Sequence, residues 1–236
     1  KGETRQVTKA ASNKPCCTPT AITHHVVEFN QGKRKDGKSI AAYRSDPEQA
    51  LGKGDAKDKP HGIRFVSLGF GGSITLEFDN PLCDQAGLDL RVYETTYGNP
   101  MFALYPEQAE VLVSQNGTDW KSLGRTNTTT PSINCRVKLD TDFDFGQAYP
   151  WIKYVRVVDV TNPNALMLNP AKCTPLPVSV FNKVSDGFDL DAVESLSSGG
   201  NSHQGARVLA DVGEESEPII ISNPSSLIYP NPVERE

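Results

Sequence analysis

The 236-residue chain predicts an all-β fold, an antiparallel β-sandwich of the jelly-roll kind, on three observations. Short apolar runs alternate with turn residues from His24 onward, no amphipathic helical pattern separates them, and turn formers abound, with 19 Gly and 17 Pro. A succession of short strands must bury one face of each, and stacking two sheets face to face does this. At 37% hydrophobic and 22% charged residues, the composition supports a core and is not that of a disordered chain.

The elements follow in order. Residues 1–21 have no periodicity and read as an N-terminal arm; without a signal peptide ahead of it, "KGETRQVTKAASNKP" reads as a mature or trimmed terminus. "HHVVEFN" opens the strands, with His24 and His25 as ordinary polar residues. "DPEQALG" (Asp46 to Gly52) predicts a single helical turn with an acidic start and a glycine stop. In "FVSLGFGGSITLEFDNP" two β-rich runs flank Gly69, Gly71 and Gly72, and Ile74, Leu76 and Phe78 share a face opposite Thr75 and Glu77. "GLDLRVYETTYGNP" alternates with Leu88, Leu90 and Val92 inward. "AEVLVSQNGTDWKSLG" predicts a hairpin closed by Asn116-Gly117 in a type I′ turn, the dipeptide that accepts positive φ at both central positions. "RVKLD", "WIKYVRVVDVT" and "GFDLDAVESL" complete a set of about eight strands, with Trp120 and Trp151 expected in the core or at its edge. The sandwich is placed at 22–198, and the small, polar, acidic stretch 199–226 reads as a linker, "SSGGNS" at its start in particular.

Charge and cysteines narrow the function. A net charge of −5 supplies no basic footprint, which argues against a nucleic-acid partner. No run of 18 apolar residues exists to span a membrane as a helix. Cys16, Cys17, Cys83, Cys135 and Cys173 form no C-x-x-C pair, which argues against zinc and thioredoxin-like chemistry. Their polar, turn-like neighbours suit disulfides in an oxidising compartment, with one cysteine left over or paired between chains, or else thiols in loops.

The run "DGFDLDAVESL" carries Asp186, Asp189 and Asp191. It fails the EF-hand template of alternate ligands with glycine and a closing glutamate. In a regular strand Asp189 and Asp191 point to one face about 7 Å apart, and like charges so placed need a cation, a donor or water. Three readings remain: a structural metal, a hydrated strand edge or Arg/Lys pairing, and a catalytic pair. Glycosidases need two carboxylates facing across a cleft, about 5 Å or roughly 6.5–9.5 Å apart, and a binding-type sandwich normally has no cleft that deep. No G-x-S-x-G elbow occurs, and His24, His25, His61 and His203 belong to no catalytic or zinc motif, so no catalytic residues are assigned.

A binding role draws attention to "YETTYGNPMFALYPEQ". Tyr93, Tyr97, Phe102 and Tyr105 stand there among turn residues, forming the candidate ligand loop, or, for Phe102 and Tyr105, a plug for the sandwich end. The long insertion Thr161–Ser185 is apolar enough to cover the sandwich or meet another subunit.

The ordered segments "YRSDPEQALGKGD", "FVSLGFGGSITLEFDNPL", "GLDLRVYET", "AEVLVSQNGTDWKSLG", "YVRVVDVT" and "DGFDLDAV" together resemble discoidin-like, or galactose-binding-like, β-sandwich domains of bacterial cell-surface proteins, over about Tyr43 to Leu196. The end of the chain, 227–236, is similar to the opening of the C-terminal sorting domain of the type IX secretion system, centred on "YPNP". That likeness implies a longer natural protein, exported through the periplasm to the surface of a Gram-negative bacterium. The first resemblance also implies a structural Ca²⁺ where the last strand meets loops near the start of the domain. Asp189 or Asp191 would then join Asp55, Asp46 or Glu28, with loop carbonyls completing six to eight oxygens. The expected function is a non-catalytic secreted or surface-anchored module for adhesion or carbohydrate binding, its partner a surface glycan or a neighbouring surface protein. The alternatives are a self-assembling structural subunit of a surface filament and an accessory region of a polysaccharide-degrading enzyme.

Overall fold

The computed structural model describes residues 17–54, 64–95, 107–126, 140–164 and 185–196. Among these, nine strands form: β1 Thr23–Asn30, β2 Val66–Ser67, β3 Ser73–Cys83, β4 Leu90–Glu94, β5 Ala109–Ser114, β6 Lys121–Arg125, β7 Thr141–Phe143, β8 Trp151–Asp159 and β9 Asp189–Ser195. They build a five-stranded sheet in the order β1-β3-β8-β5-β6 and a four-stranded sheet in the order β2-β9-β4-β7. Every ladder between these strands is antiparallel.

Period-two alternation decides which side chains meet. Ile74, Leu76 and Phe78 of β3, Val111 and Val113 of β5, and Val155 and Val157 of β8 are fully buried. They share one core with Val66, Leu90, Val92, Leu190 and Val193 of the four-stranded sheet, so the two sheets face each other as a sandwich. Each such side chain contributes roughly 1.5–3 kcal/mol on burial. The chain passes from one sheet to the other between β2 and β3. Gly69 makes this corner possible: its φ is +78°, and a Cβ there would lie 2.5 Å from the backbone carbon of Gly32. Cys17 and Cys83 form a disulfide across 66 residues, tying the segment before β1 to the end of β3. Thr18 and Cys83 reinforce it through backbone bonds, Thr18 to Pro81 and Cys83 back to Thr18.

The structure departs from the sequence expectations in four places. Leu88 is 54% exposed and precedes β4, because Asp89 takes the inside of the turn and accepts the amides of Gln85 and Phe145. The β5–β6 hairpin is not closed by a two-residue turn: Val113 faces Lys121 in the last ladder pair, and Asn116 Oδ1 accepts the amides of Thr118 and Asp119 in an Asx turn. A short strand, β7, begins at Thr141, just after "RVKLD", whose first four residues lie outside the described ones. The predicted helical turn is a 3₁₀ helix over Pro47–Ala50, capped by Asp46, and a second 3₁₀ turn, Ala42–Arg44, precedes it. The predicted linker and sorting segment, Cys16, Cys135, Cys173 and nearly all of the long insertion also lie outside the described residues.

Candidate functional site

The β9 aspartates do not line a sheet edge. β9 runs between β2 and β4, and Asp189 stands opposite Ser67 of β2, whose hydroxyl donates to its carboxylate. Gly187, with φ +77°, turns the chain into β9 and leaves Asp186 just before it. Arg44, carried by the 3₁₀ turn, reaches both acids: Nη1 donates to Asp186 Oδ1 at 3.2 Å, Nη2 pairs with Asp186 Oδ2, and Nη1 lies 3.9 Å from Asp189 Oδ2. The three side chains are only 15%, 7% and 6% exposed. Asp191 is buried as well, but the β4–β9 ladder slips there, Tyr93 facing Ala192 and Glu94 facing Leu190. The register thus skips Asp191, so the regular pairing assumed for a same-face Asp189–Asp191 pair is interrupted there.

More carboxylates surround this network than the sequence reading assigned to it. Asp159, ending β8, accepts from the amides of Gly71 at 3.0 Å and Phe188 at 2.8 Å and from the Thr161 hydroxyl at 2.7 Å. Glu94 and Glu107 are buried alongside. Burial pushes Glu107 well above the usual carboxylate range, and the charges of Asp189, Glu94, Asp186 and Asp159 push it further. Asp189 is likewise raised, chiefly by burial and then by Asp186, against the opposing pull of Arg44 and Ser67. Burial also raises Asp186 and Asp159 in spite of their partners. Burial lowers the proton affinity of the Arg44 guanidinium, but Asp189 and Asp186 outweigh it and raise the net value. Arg44 and Asp186 stand 142 residues apart along the chain, so no local motif could announce the network.

Three described members of the predicted calcium set, Asp46, Glu28 and Asp189, have partners within the chain. Asp46 caps its 3₁₀ helix through the Glu48 amide at 3.1 Å and also accepts from Gln49 Nε2. Glu28 accepts from Arg156 Nη2 at 3.0 Å and from Asn30 Nδ2 at 2.9 Å. Beside Asp189 the positive charge is the chain's own Arg44. Asp46, Glu28 and Asp189 thus have protein partners, Asp191 is buried, and Asp55 lies outside the described residues. Among the described residues, Asp84, Asp89 and Asp144 bring carboxylate oxygens within 4.8 Å of one another, a grouping the sequence reading missed because Asp144 comes from a different loop.

Of the predicted ligand aromatics, Tyr93 belongs to β4, while Tyr97, Phe102 and Tyr105 lie outside the described residues. The backbone of Gly54 packs on the Tyr93 ring so closely that a Cβ would lie 2.6 Å from Cγ, which closes one ring face. The Arg91 guanidinium, itself held by Asp142, lies 5.8 Å from the ring centroid. Trp151 is half-buried at the start of β8. Trp120 is half-buried too, but it stands outside the core cluster, with the Arg156 guanidinium 4.4 Å from its ring centroid.

No protein-family model matches the chain, and no curated protein matches it. Among solved structures it is similar to the family 32 carbohydrate-binding module of Streptococcus pneumoniae EndoD, at 11% identity and a TM-score of 0.41 over 73% of this chain and 94% of that one. It is also similar to the C-terminal domain of a chitobiase from Bacteroides fragilis, at 10% identity and a TM-score of 0.37 over 75% and 95%. A further similarity is to a CBM32 module of a GH31 protein, solved bound to GalNAc, at 12% identity and a TM-score of 0.30 over 54% of this chain and 64% of that one. The assignment of this chain to an antiparallel β-sandwich rests on its own sheet order and shared core.

Proposed function

We propose that the chain is a non-catalytic, secreted or surface-exposed module that binds carbohydrate. The observation that carries this reading is the state of Asp186 and Asp189, buried and closed by Arg44 and Ser67. A glycosidase needs its two carboxylates open to a glycosidic bond, one as acid and one as base or nucleophile. Here the acids with the most raised proton affinity serve the interior of a rigid sandwich. Its surfaces and loops are left to present aromatic and polar groups, the usual makings of a sugar site. The Cys17–Cys83 disulfide supports an oxidising, extracytoplasmic setting. Tyr229–Pro232 supports delivery to a Gram-negative surface by a sorting domain.

The test is a glycan array probed with the whole chain, run beside a reducing-sugar assay on the same polysaccharides. Binding without sugar release is expected. Sugar release that disappears in Asp189→Asn would overturn the non-catalytic reading, and an array with no bound glycan would overturn the carbohydrate reading.

A further inference from the structure

The outer face of the five-stranded sheet carries a group of residues that the interior does not explain. Glu28 of β1 faces Thr75 of β3, and Thr75 faces Arg156 of β8, so the three side chains form a row on one sheet surface. Arg156 is held flat along this row: Nε donates to Thr75 Oγ1 at 2.8 Å and Nη2 to Glu28 Oε2 at 3.0 Å. Over the guanidinium lies the indole of Trp120, its centroid 4.4 Å away. The loop that carries Trp120 is fixed on both sides. Gln115 Nε2 donates to the Trp151 carbonyl at 3.1 Å, and the Tyr149 hydroxyl donates to the Asp119 carbonyl at 3.0 Å.

Arg156 lies against the indole, and Trp120 as a whole is only half-buried, so part of its side chain remains accessible. A planar aromatic surface, immobilised before any ligand arrives, is what a sugar ring requires. The apolar C–H face of a pyranose packs on the indole, and little ordering entropy is lost because the platform is already rigid. The neighbouring Glu28, Asn30 and Asp119 carry the polar atoms that ring hydroxyls need. Charge selects among sugars. Arg156 is neutralised by Glu28, so no uncompensated cation in this row attracts a uronate or a sulfate, and a neutral ring suits it better.

We infer that Trp120, backed by Arg156, is a binding platform for a neutral pyranose on the outer face of the five-stranded sheet. This rests on the carbohydrate reading above and moves the contact surface away from the predicted loop of Tyr97, Phe102 and Tyr105. Arg156 is a positioning residue and Trp120 the contact.

The chain has two tryptophans, so Trp151→Phe leaves Trp120 as its sole indole reporter. That variant is titrated with D-galactose, N-acetyl-D-glucosamine and cellobiose at millimolar concentrations, beside calorimetric titrations of wild type and Trp120→Ala. The expected result is a saturable change in Trp120 emission with at least one sugar, and an affinity at least about tenfold weaker in Trp120→Ala. Trp120→Tyr, which restores an aromatic face, is expected to recover part of the loss. Binding of a sugar with Trp120 emission unchanged and Trp120→Ala equal to wild type overturns this inference alone. A protein that binds none of the three sugars also overturns it, and with an empty glycan array the carbohydrate reading falls too.

Discussion

Two arginines of this molecule make similar bonds in different surroundings. Arg44 is 15% exposed and faces Asp186 and Asp189 at 7% and 6%, whereas Arg156 is 30% exposed and faces Glu28 at 52%. In the interior the ions have lost their water, so each depends on its partner, and removing one leaves an uncompensated charge. At the surface water screens the pair, and its contribution to stability is small. The same residue type therefore secures the fold at one site and fixes a side chain's geometry at the other. A buried, raised carboxylate is thus no sufficient sign of catalysis in this chain. Its acids are raised because they are dry, and Arg44 is there to make that tolerable.

The largest effect is expected at Arg44. Arg44→Met keeps much of the volume but strips Asp186 and Asp189 of their cation, and is expected to cost about 3–5 kcal/mol. Urea unfolding measures it. A loss below about 1 kcal/mol would place Arg44 in the same category as an exposed pair.

A smaller effect is expected from pH. The proton affinity of Glu107 is raised in the folded state, so the folded protein holds a proton that the unfolded chain releases. The cost is absent below the unfolded value, near 4.5, and stability falls as pH rises from there through the raised folded value. Glu107→Gln should flatten this fall and raise the melting temperature at neutral pH by a few degrees. Melting curves for both proteins from acidic to neutral pH read it, and an unchanged difference between them across the range would exclude Glu107 as a source of the slope.

The smallest effect is assigned to the exposed pair. Glu28→Gln should alter stability by no more than about 1 kcal/mol, less still in high salt. A loss as large as that of Arg44→Met would erase the distinction between the two sites.

Much of the sandwich could be read from the residues alone. Ile74, Leu76 and Phe78 lie inside as their spacing predicts, and Asp46 starts a helical turn because its side chain accepts an amide two residues on. Expectations failed where the physics is not local. Leu88 fits the alternation, yet the turn is so tight that Asp89 must face inward to receive two amides. The 3₁₀ turn Ala42–Arg44 is too short to leave a periodic trace. Asp189 and Asp191 form a pattern only in a regular strand, and the β4–β9 register shifts at Asp191. Arg44 and Asp186 are 142 residues apart, and Trp120 and Arg156 meet only once β8 lies beside the β5–β6 hairpin. Apolar spacing thus predicted the core, while the polar clusters depended on the assembled topology.

The central claim is that binding belongs to the outer face and the buried carboxylates belong to the fold. Calorimetric titration with one sugar bound by the wild type, on Arg44→Met and Trp120→Ala at a temperature where both stay folded, tests it directly. Near-wild-type affinity is expected in Arg44→Met and a loss of at least about tenfold in Trp120→Ala. The reverse outcome, binding lost with Arg44 and kept without Trp120, would contradict it and move the ligand to the carboxylate cluster.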